Sequence, residues 1–247
     1  GATAGFPVMR DKLFAFVNAD TTKRDGENGY TRDLFLPSEL NAPRLTRGND
    51  TPANRAFIDS VLARFPALTP NDARSPRTYT GVVGFNQPDY DYSGRLDWNL
   101  SDGQTLTGRY QWTHQLRENE DIINGEATLQ DNTQQNLGMT WTHMLSNVLV
   151  GEARYGLGIR STNVGINAGN DTPSIRFVGT PVSGSIIGNA GTFPIIRDQT
   201  DHQFVYNLSA QLFNTHSLKA GIDVRRQSLD DVADSNSRGF WNFNRLC

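Results

Sequence analysis

The stretch SGRLDWNLSDGQTLTGRYQWTHQL, residues 93–116, decides the fold. On either side of its central SDGQ, large apolar residues alternate with polar and charged ones, at positions Leu96, Trp98, Leu100, Leu106, Tyr110, Trp112 and Leu116. Such period-two alternation is typical of a β-strand with one apolar and one polar face, and SDGQ has the composition of a tight hairpin turn. The stretch therefore predicts two long antiparallel strands joined by a short turn.

The same alternation recurs along the chain, in segments rich in Thr, Val, Tyr, Trp and Phe. It predicts eight strands, at 12–20, 91–100, 104–116, 133–145, 148–160, 202–213, 216–228 and 238–244. Each of the middle six carries an apolar face opposite a polar one. The sequence thus predicts an all-β protein, an antiparallel up-and-down meander of about seven or eight strands.

The connections between these strands alternate in length. Three are tight turns, at 101–104, 146–147 and 214–216, and three are long, at 117–132, 161–201 and 229–237. Short turns on one rim and long loops on the other are typical of outer-membrane β-barrels, with the long loops outside the cell. On this interpretation 1–247 is part of one barrel domain, an open curved sheet with long extracellular excursions at 21–90 and 161–201.

The first excursion contains one helix candidate. Thr51 is a suitable N-cap, Pro52 suits the first turn, and Pro66 ends the segment. Four apolar residues fall on one face of this helix, namely Phe57, Val61, Leu62 and Phe65. The sequence therefore predicts a short helix within an otherwise irregular segment.

Composition narrows the possible environments. The chain has 23 basic and 26 acidic residues, so no charge excess points to nucleic acid as a partner. Its mean hydropathy of -0.52 is typical of a soluble protein, but a membrane barrel also lowers this average because half of its strand residues face inward. The longest apolar run, 13–17, is too short for a spanning helix, which needs roughly 20 residues.

Both chain ends carry information as well. The chain starts at Gly1 with no visible signal peptide, which predicts a fragment of a longer protein. Its only cysteine is Cys247, so an internal disulfide or a thiolate metal cluster is not expected.

Strand length and aromatic placement favour a membrane. Strand 104–116 would extend roughly 40 Å, or roughly 30 Å along the normal when tilted near 45°, which matches a bilayer core. Trp98 and Trp141 lie near short turns, whereas Tyr92, Trp112, Tyr155 and Tyr206 are expected near the long-loop ends. We therefore predict two membrane-interface belts made by these six aromatic residues. An amphipathic soluble sheet packed on itself remains the alternative.

The opposite face is expected to line a wet lumen. Its charged residues include Arg95, Asp97, Arg109, Arg154, Asp223 and Arg225. Since register fixes every side chain once one is placed, Trp98 and Arg95 should lie on opposite faces. Arginine at Leu106 or Leu157 should then destabilise a barrel, whereas arginine at Gln111 should be nearly neutral.

Several segments also resemble the barrel of Oar-like TonB-dependent outer-membrane transporters. The similar pieces are PVMRDKLFAFVNAD (7–20), YSGRLDWNLSDGQTLTGRY (92–110), NLGMTWTHMLSNVLVGEARYGLGIR (136–160), HSLKAGIDVRRQ (216–227) and RGFWNF (238–243). Together they span almost the whole chain, and their combination is more specific than any one piece.

The resemblance implies a barrel of 22 strands with an N-terminal plug, powered by the TonB complex and located in the bacterial outer membrane. Its partners would be outer-membrane lipid, the TonB complex through the plug, and an unknown bulky ligand at the extracellular loops. The chain departs from this pattern because it contains neither a plug nor enough strands for closure. No ligand-binding residue can be carried over.

Catalytic, cofactor and metal motifs are not expected in this chain. His114, His143, His202 and His216 lack metal-ligand spacing, and interfacial placement suits them better. The glycines of 179–191 do not form a phosphate-binding motif. Two other functions remain open, a soluble carbohydrate- or ligand-binding β-sheet module and a β-rich hydrolase. All four Trp residues fall in proposed strands and no nucleophile motif is visible, which favours the non-enzymatic transport barrel.

Overall fold

The computed structural model describes residues 1–34, 51–64, 68–73, 75–119, 121–122, 127–166, 173–177, 186–187, 190–213 and 215–243. Eleven strands and one helix, α1 (Pro52–Arg64), occur in these ranges. The strands are β1 (Ala2–Met9), β2 (Leu13–Asp33), β3 (Thr78–Ser101), β4 (Gln104–Asn119), β5 (Thr128–Ser146), β6 (Leu149–Ile166), β7 (Ser174–Phe177), β8 (Ile186–Ile187), β9 (Ile195–Leu212), β10 (His216–Ala233) and β11 (Phe240–Phe243).

Eight of these strands form one antiparallel sheet in the order β1-β2-β3-β4-β5-β6-β9-β10. Each strand pairs with its neighbour in this meander, and β6 and β9 are also directly paired although β7 and β8 lie between them in the chain. The three short strands form a separate sheet in the order β11-β7-β8. The predicted fold class, an open up-and-down antiparallel meander, is confirmed.

The identity of the eighth strand differs from the prediction. Segment 238–244 was expected to end the meander, but its β11 pairs in parallel with β7 in the small sheet. The missing strand is β1, which pairs with β2 from Ala2↔Ala19 to Met9↔Leu13. Its sequence, ATAGFPVM, shows little polar–apolar alternation, so the periodicity did not reveal it.

The strands are also longer than predicted on the long-loop side. Strand β2 continues to Asp33 and β3 already begins at Thr78, so 21–33 and 78–90 are strand rather than irregular excursion. The second excursion likewise shrinks, because β6 runs to Ile166 and β9 starts at Ile195. The extension of β2 is mostly polar on both faces, as in TTKRDGENGY (21–30), and 78–90 carries apolar residues on both faces, as in TYTGVVGFNQPDY. A strand without one apolar and one polar face produces no clear alternation signal.

Helix α1 begins as predicted. The backbone N–H of Asn54 donates to Thr51 Oγ1 at 3.2 Å, which is an N-cap bond, and Pro52 occupies the first position. Of the four residues predicted on its apolar face, Phe57 is 46% exposed. The structure does not describe the side chains of the other three, Val61, Leu62 and Phe65.

Successive hairpins are staggered in one direction. Leu13 pairs with Trp98, three residues before β3 ends, and Gln104 pairs with His143, three residues before β5 ends. Across the whole sheet the short turns advance by about one residue per strand. With about 3.3 Å per residue and about 4.8 Å between strands, turns on a common rim require a strand tilt of about 35°, which is the range of closed barrels.

Few of the residues that the structure describes are buried. The buried apolar residues Leu34, Ala127, Ile166 and Ile175 all lie at the long-loop side of the sheet or in the small sheet. Every residue of β1 and of β10 is exposed, and these two strands do not pair with each other. The described sheet is therefore open at both edges rather than closed into a small eight-stranded barrel.

Candidate functional site: the two faces of the sheet

Cross-strand register divides the main sheet into an apolar and a polar face. One row of directly paired residues runs across six strands, namely Trp98, Leu106, Trp141, Ala153, Tyr206 and Ile222. The neighbouring row on the other side of the sheet contains Asp97, Thr107, Thr140, Arg154, Val205 and Asp223. Trp98 and Arg95 lie on opposite faces, as predicted.

The apolar face carries all six aromatic residues that were predicted to mark membrane interfaces. Tyr92 and Trp112 are direct partners, and their rings stack with centroids 5.6 Å apart. They lie nine and eight residues from the short-turn ends of β3 and β4. With a strand tilt of about 35°, the distance from the short turns to these two rings is roughly 22–24 Å along the membrane normal. This is close to the height of about 25 Å of an outer-membrane apolar band.

Tyr155 and Tyr206 are placed lower than predicted. Each lies six residues from the short-turn end of an 18-residue strand, so the expectation that both are near the long loops is wrong. The reason is that β6 and β9 run on well beyond the predicted strand ends. Tyr155 Oη instead meets His202 Nδ1 at 2.9 Å, and Tyr206 lies in the same row as Trp141.

A glycine allows a polar–aromatic contact to cross β6 on the apolar face. His143 is 7% exposed, stacks on Trp141 with centroids 4.2 Å apart, and lies 3.1 Å from the Tyr206 hydroxyl through its Nε2. Gly151 lies between them, directly paired with His143 on β5 and with Leu208 on β9. The sequence predicted an interfacial position for His143, but nothing in it predicted this contact with Tyr206.

Gly151→Val should destabilise the protein by about 1–3 kcal/mol, the usual cost of overpacking. An added Cβ would come within 2.5 Å of His143 Nε2 and 2.7 Å of the Tyr206 hydroxyl. Denaturant unfolding in lipid vesicles measures the change. Gly108→Val is the matched control, because a Cβ at Gly108 meets nothing within 4 Å. Equal stability of the two variants would show that the new side chain displaces the His143–Tyr206 contact without loss of stability.

The polar face is held by ion pairs that run along strands. Arg95 Nε lies 2.8 Å from Asp97 Oδ2, and Arg225 Nη2 lies 2.9 Å from Asp223 Oδ2. The adjacent strand supplies a further donor to each carboxylate, from Thr107 to Asp97 at 2.8 Å and from Gln203 to Asp223. Because these pairs are exposed to solvent, they add little to stability. Their chemistry is structural, since each carboxylate is already occupied by its neighbours.

A second polar network lies towards the long loops. Asp89 binds the Arg117 guanidinium through both oxygens, with Nη2 to Oδ2 at 2.9 Å, and Arg24 approaches the same carboxylate at 3.9 Å. Asp91 accepts hydrogen bonds from Gln111 Nε2 at 2.7 Å and Thr113 Oγ1 at 2.9 Å. The sequence did not single out this network, because Asp89 and Arg117 lie just outside the predicted strands.

No group of three or more His, Cys, Asp or Glu side chains in the described residues is arranged to hold a metal ion. None of the helical segments in the described ranges has the length and apolarity that crossing a membrane requires.

A staggered antiparallel meander with an apolar aromatic face, a charged face and short turns on one rim is the wall of a membrane β-barrel. The family model described as outer membrane beta barrel domain matches residues 1–246. The chain therefore belongs to the outer membrane beta barrel domain family, and its location is the bacterial outer membrane. Comparison with curated proteins and with solved structures found no match.

Proposed function

We propose that the chain forms part of the barrel wall of a TonB-dependent outer-membrane transporter that takes up a bulky ligand. The observation that carries the proposal is that the strands continue well beyond the apolar band. Strand β3 has 24 residues, whereas about 9–11 residues cross a bilayer. The surplus extends the wall beyond the membrane on the long-loop side, which suits a receptor that captures large ligands outside the cell. The resemblance to Oar-like barrels points the same way.

In this proposal the polar face lines the lumen and the apolar face contacts lipid. Arg95, Asp97, Arg109, Arg154, Asp223 and Arg225 would then be lumen-facing, and Tyr92, Trp98, Trp112, Trp141, Tyr155 and Tyr206 would lie at or between the membrane interfaces. The TonB complex would act through a plug, and the ligand would first meet the extracellular loops. A soluble ligand-binding module is disfavoured, because the family match covers nearly the whole chain.

The face assignment is tested with single cysteines, in a Cys247→Ser background. Arg95→Cys and Leu96→Cys are adjacent on β3, so they differ in face and hardly in depth. In outer-membrane vesicles we expect a small hydrophilic maleimide to label the cysteine at 95 and not the one at 96. Labelling of both, or of 96 alone, would contradict a polar lumen.

TonB dependence is tested separately. The natural gene product that carries this chain, purified in detergent, should bind the purified periplasmic domain of TonB in a pull-down or by calorimetry. Absence of binding, with the cysteine pattern intact, would reject TonB coupling and leave the barrel-wall assignment standing.

A further inference from the structure

Three glycines lie side by side on the polar face near the middle of the sheet. Gly138 on β5 is the direct partner of Gly156 on β6, and Gly158 lies two residues further along β6. Because glycine has no side chain, the backbone of the polar face is uncovered here over an area of about 10 Å by 7 Å. We call these three residues the glycine floor.

The fold itself does not require glycine at these positions. A Cβ added at Gly138 would meet nothing within 4 Å, and at Gly156 and Gly158 its nearest contacts would be ordinary ones of 3.8 Å and 3.6 Å. None of the three has a φ in the left-handed region. Glycine weakens a strand, and in a strand interior it often marks the close approach of a ligand or another backbone. The glycine floor is therefore better explained by something that rests on it.

Hydrogen-bonding side chains surround the floor. The depression at Gly158 is lined by Gln134, Asn136, Ile159, Arg160, Gln199 and Asp201. Register places Arg109 directly beside Gly138 and Gln203 directly beside Gly156, at the two ends of the row that contains these two glycines. The rim thus combines several amides with two guanidinium groups around a flat base.

The charges on this rim are not balanced within the described residues. Arg154 lies 2.7 Å from Glu152, but Arg109 has only a hydrogen bond to Gln111 Oε1 at 3.2 Å, and Arg160 forms no ion pair there. One acceptor is also unfilled, because Asp201 Oδ1 is buried without a hydrogen-bond partner while its Oδ2 accepts from Gln199. Buried polar atoms are normally paired, so this carboxylate is suited to receive a donor from outside the chain.

We propose that the glycine floor and its rim bind an acidic oligosaccharide. Carboxylates of the sugar would pair with Arg109 and Arg160, hydroxyl groups would bond the surrounding amides, and one hydroxyl would donate to Asp201. A ring lying on the glycine floor meets backbone without clashing with a Cβ. The inference rests on the proposed transport function and names the ligand class for one patch of the lumen.

The test uses the natural gene product in detergent, with trigalacturonate as the acidic probe and maltotriose as the neutral one. By calorimetry we expect trigalacturonate to bind with an affinity that falls as salt rises, and maltotriose to bind at least tenfold more weakly. Gly138→Val should weaken trigalacturonate binding at least tenfold, because its side chain fills the floor. Gly108→Val is the matched control: it has equally open space but lies on the apolar face, so binding should not change.

Arg160→Gln tests the charge pairing, and it should weaken trigalacturonate binding while leaving maltotriose binding unchanged. Absence of trigalacturonate binding, equal binding of the two sugars, or equal effects of Gly138→Val and Gly108→Val would overturn the proposal. If the sugar tests fail while the protein still binds the TonB domain and shows the expected cysteine labelling, only the proposed sugar site is rejected. If only TonB binding is absent, TonB coupling is rejected and the proposed sugar site stands.

Discussion

Leu96→Arg should destabilise the membrane-embedded barrel by about 2–4 kcal/mol, the cost of a guanidinium near the bilayer midplane. Leu96 is 52% exposed on the apolar face and has only Ala15 and Gly108 as direct partners, so no neighbour shields it. It lies five residues from the short-turn end of β3, between Trp98 and Tyr92. Denaturant unfolding of the natural gene product in phospholipid vesicles measures the loss.

Gln111→Arg is the control for this substitution. Gln111 lies on the polar face and already bonds Asp91, which can accept an arginine equally well. We expect a change within about 0.5 kcal/mol, as for most surface substitutions. Arginine at Leu106 or Leu157 should cost less than at Leu96, because these residues lie closer to the two ends of the apolar band. Equal costs at Leu96 and Gln111 would contradict the membrane assignment of the apolar face.

Sequence periodicity predicted the middle of the sheet well for a physical reason. Where one face meets lipid and the other meets water, alternation is obligatory, and β3 to β6 show it around their Trp and Tyr residues. Register then follows, because a slip by one residue would turn every apolar side chain to the wrong face. The opposition of Trp98 and Arg95 is a consequence of this constraint.

The long-loop side of the sheet could not be predicted in the same way. From 21 to 33 and from 78 to 90 the strands are held by the backbone ladder between β2 and β3, and neither face needs to be apolar. Strand β1 shows the converse problem, since its Ala, Gly and Val residues have no polar face to contrast with. Strand pairing that depends on backbone hydrogen bonds alone leaves little trace in composition.

The candidate site also contains residues that the sequence predicted and residues that it did not. The charged residues of the polar face, Arg95 and Asp97 among them, were visible as the polar half of the alternation. The glycine floor was not recognised, because Gly138 and Gly156 are 18 positions apart in sequence and become neighbours only through the β5–β6 register. A single glycine in a sequence indicates only a locally weaker strand, whereas three neighbouring glycines in the sheet expose an area of backbone.

Residues 1–247 expressed alone should not form a stable soluble monomer. Strand β10 offers 18 exposed residues at one edge of the main sheet and β1 offers eight at the other. Their outward N–H and C=O groups have no partner in the described sheet, and in lipid each such group costs several kcal/mol. In water the same edges are templates for pairing with other chains. Detergent should keep the chain dispersed, whereas plain buffer should not.

Surface area supports the same expectation. The chain exposes 15679 Å², whereas a compact monomer of 27.4 kDa would expose about 11,000 Å². The apolar face is part of this exposed surface, and Leu96, Tyr92 and Phe204 on it are each more than 40% exposed. An apolar surface of this extent exceeds the few hundred Å² that soluble monomers tolerate. Size-exclusion chromatography without detergent should therefore show aggregates. A monodisperse monomer with one cooperative unfolding transition would mean that the apolar face is covered by the chain itself, which contradicts its contact with lipid.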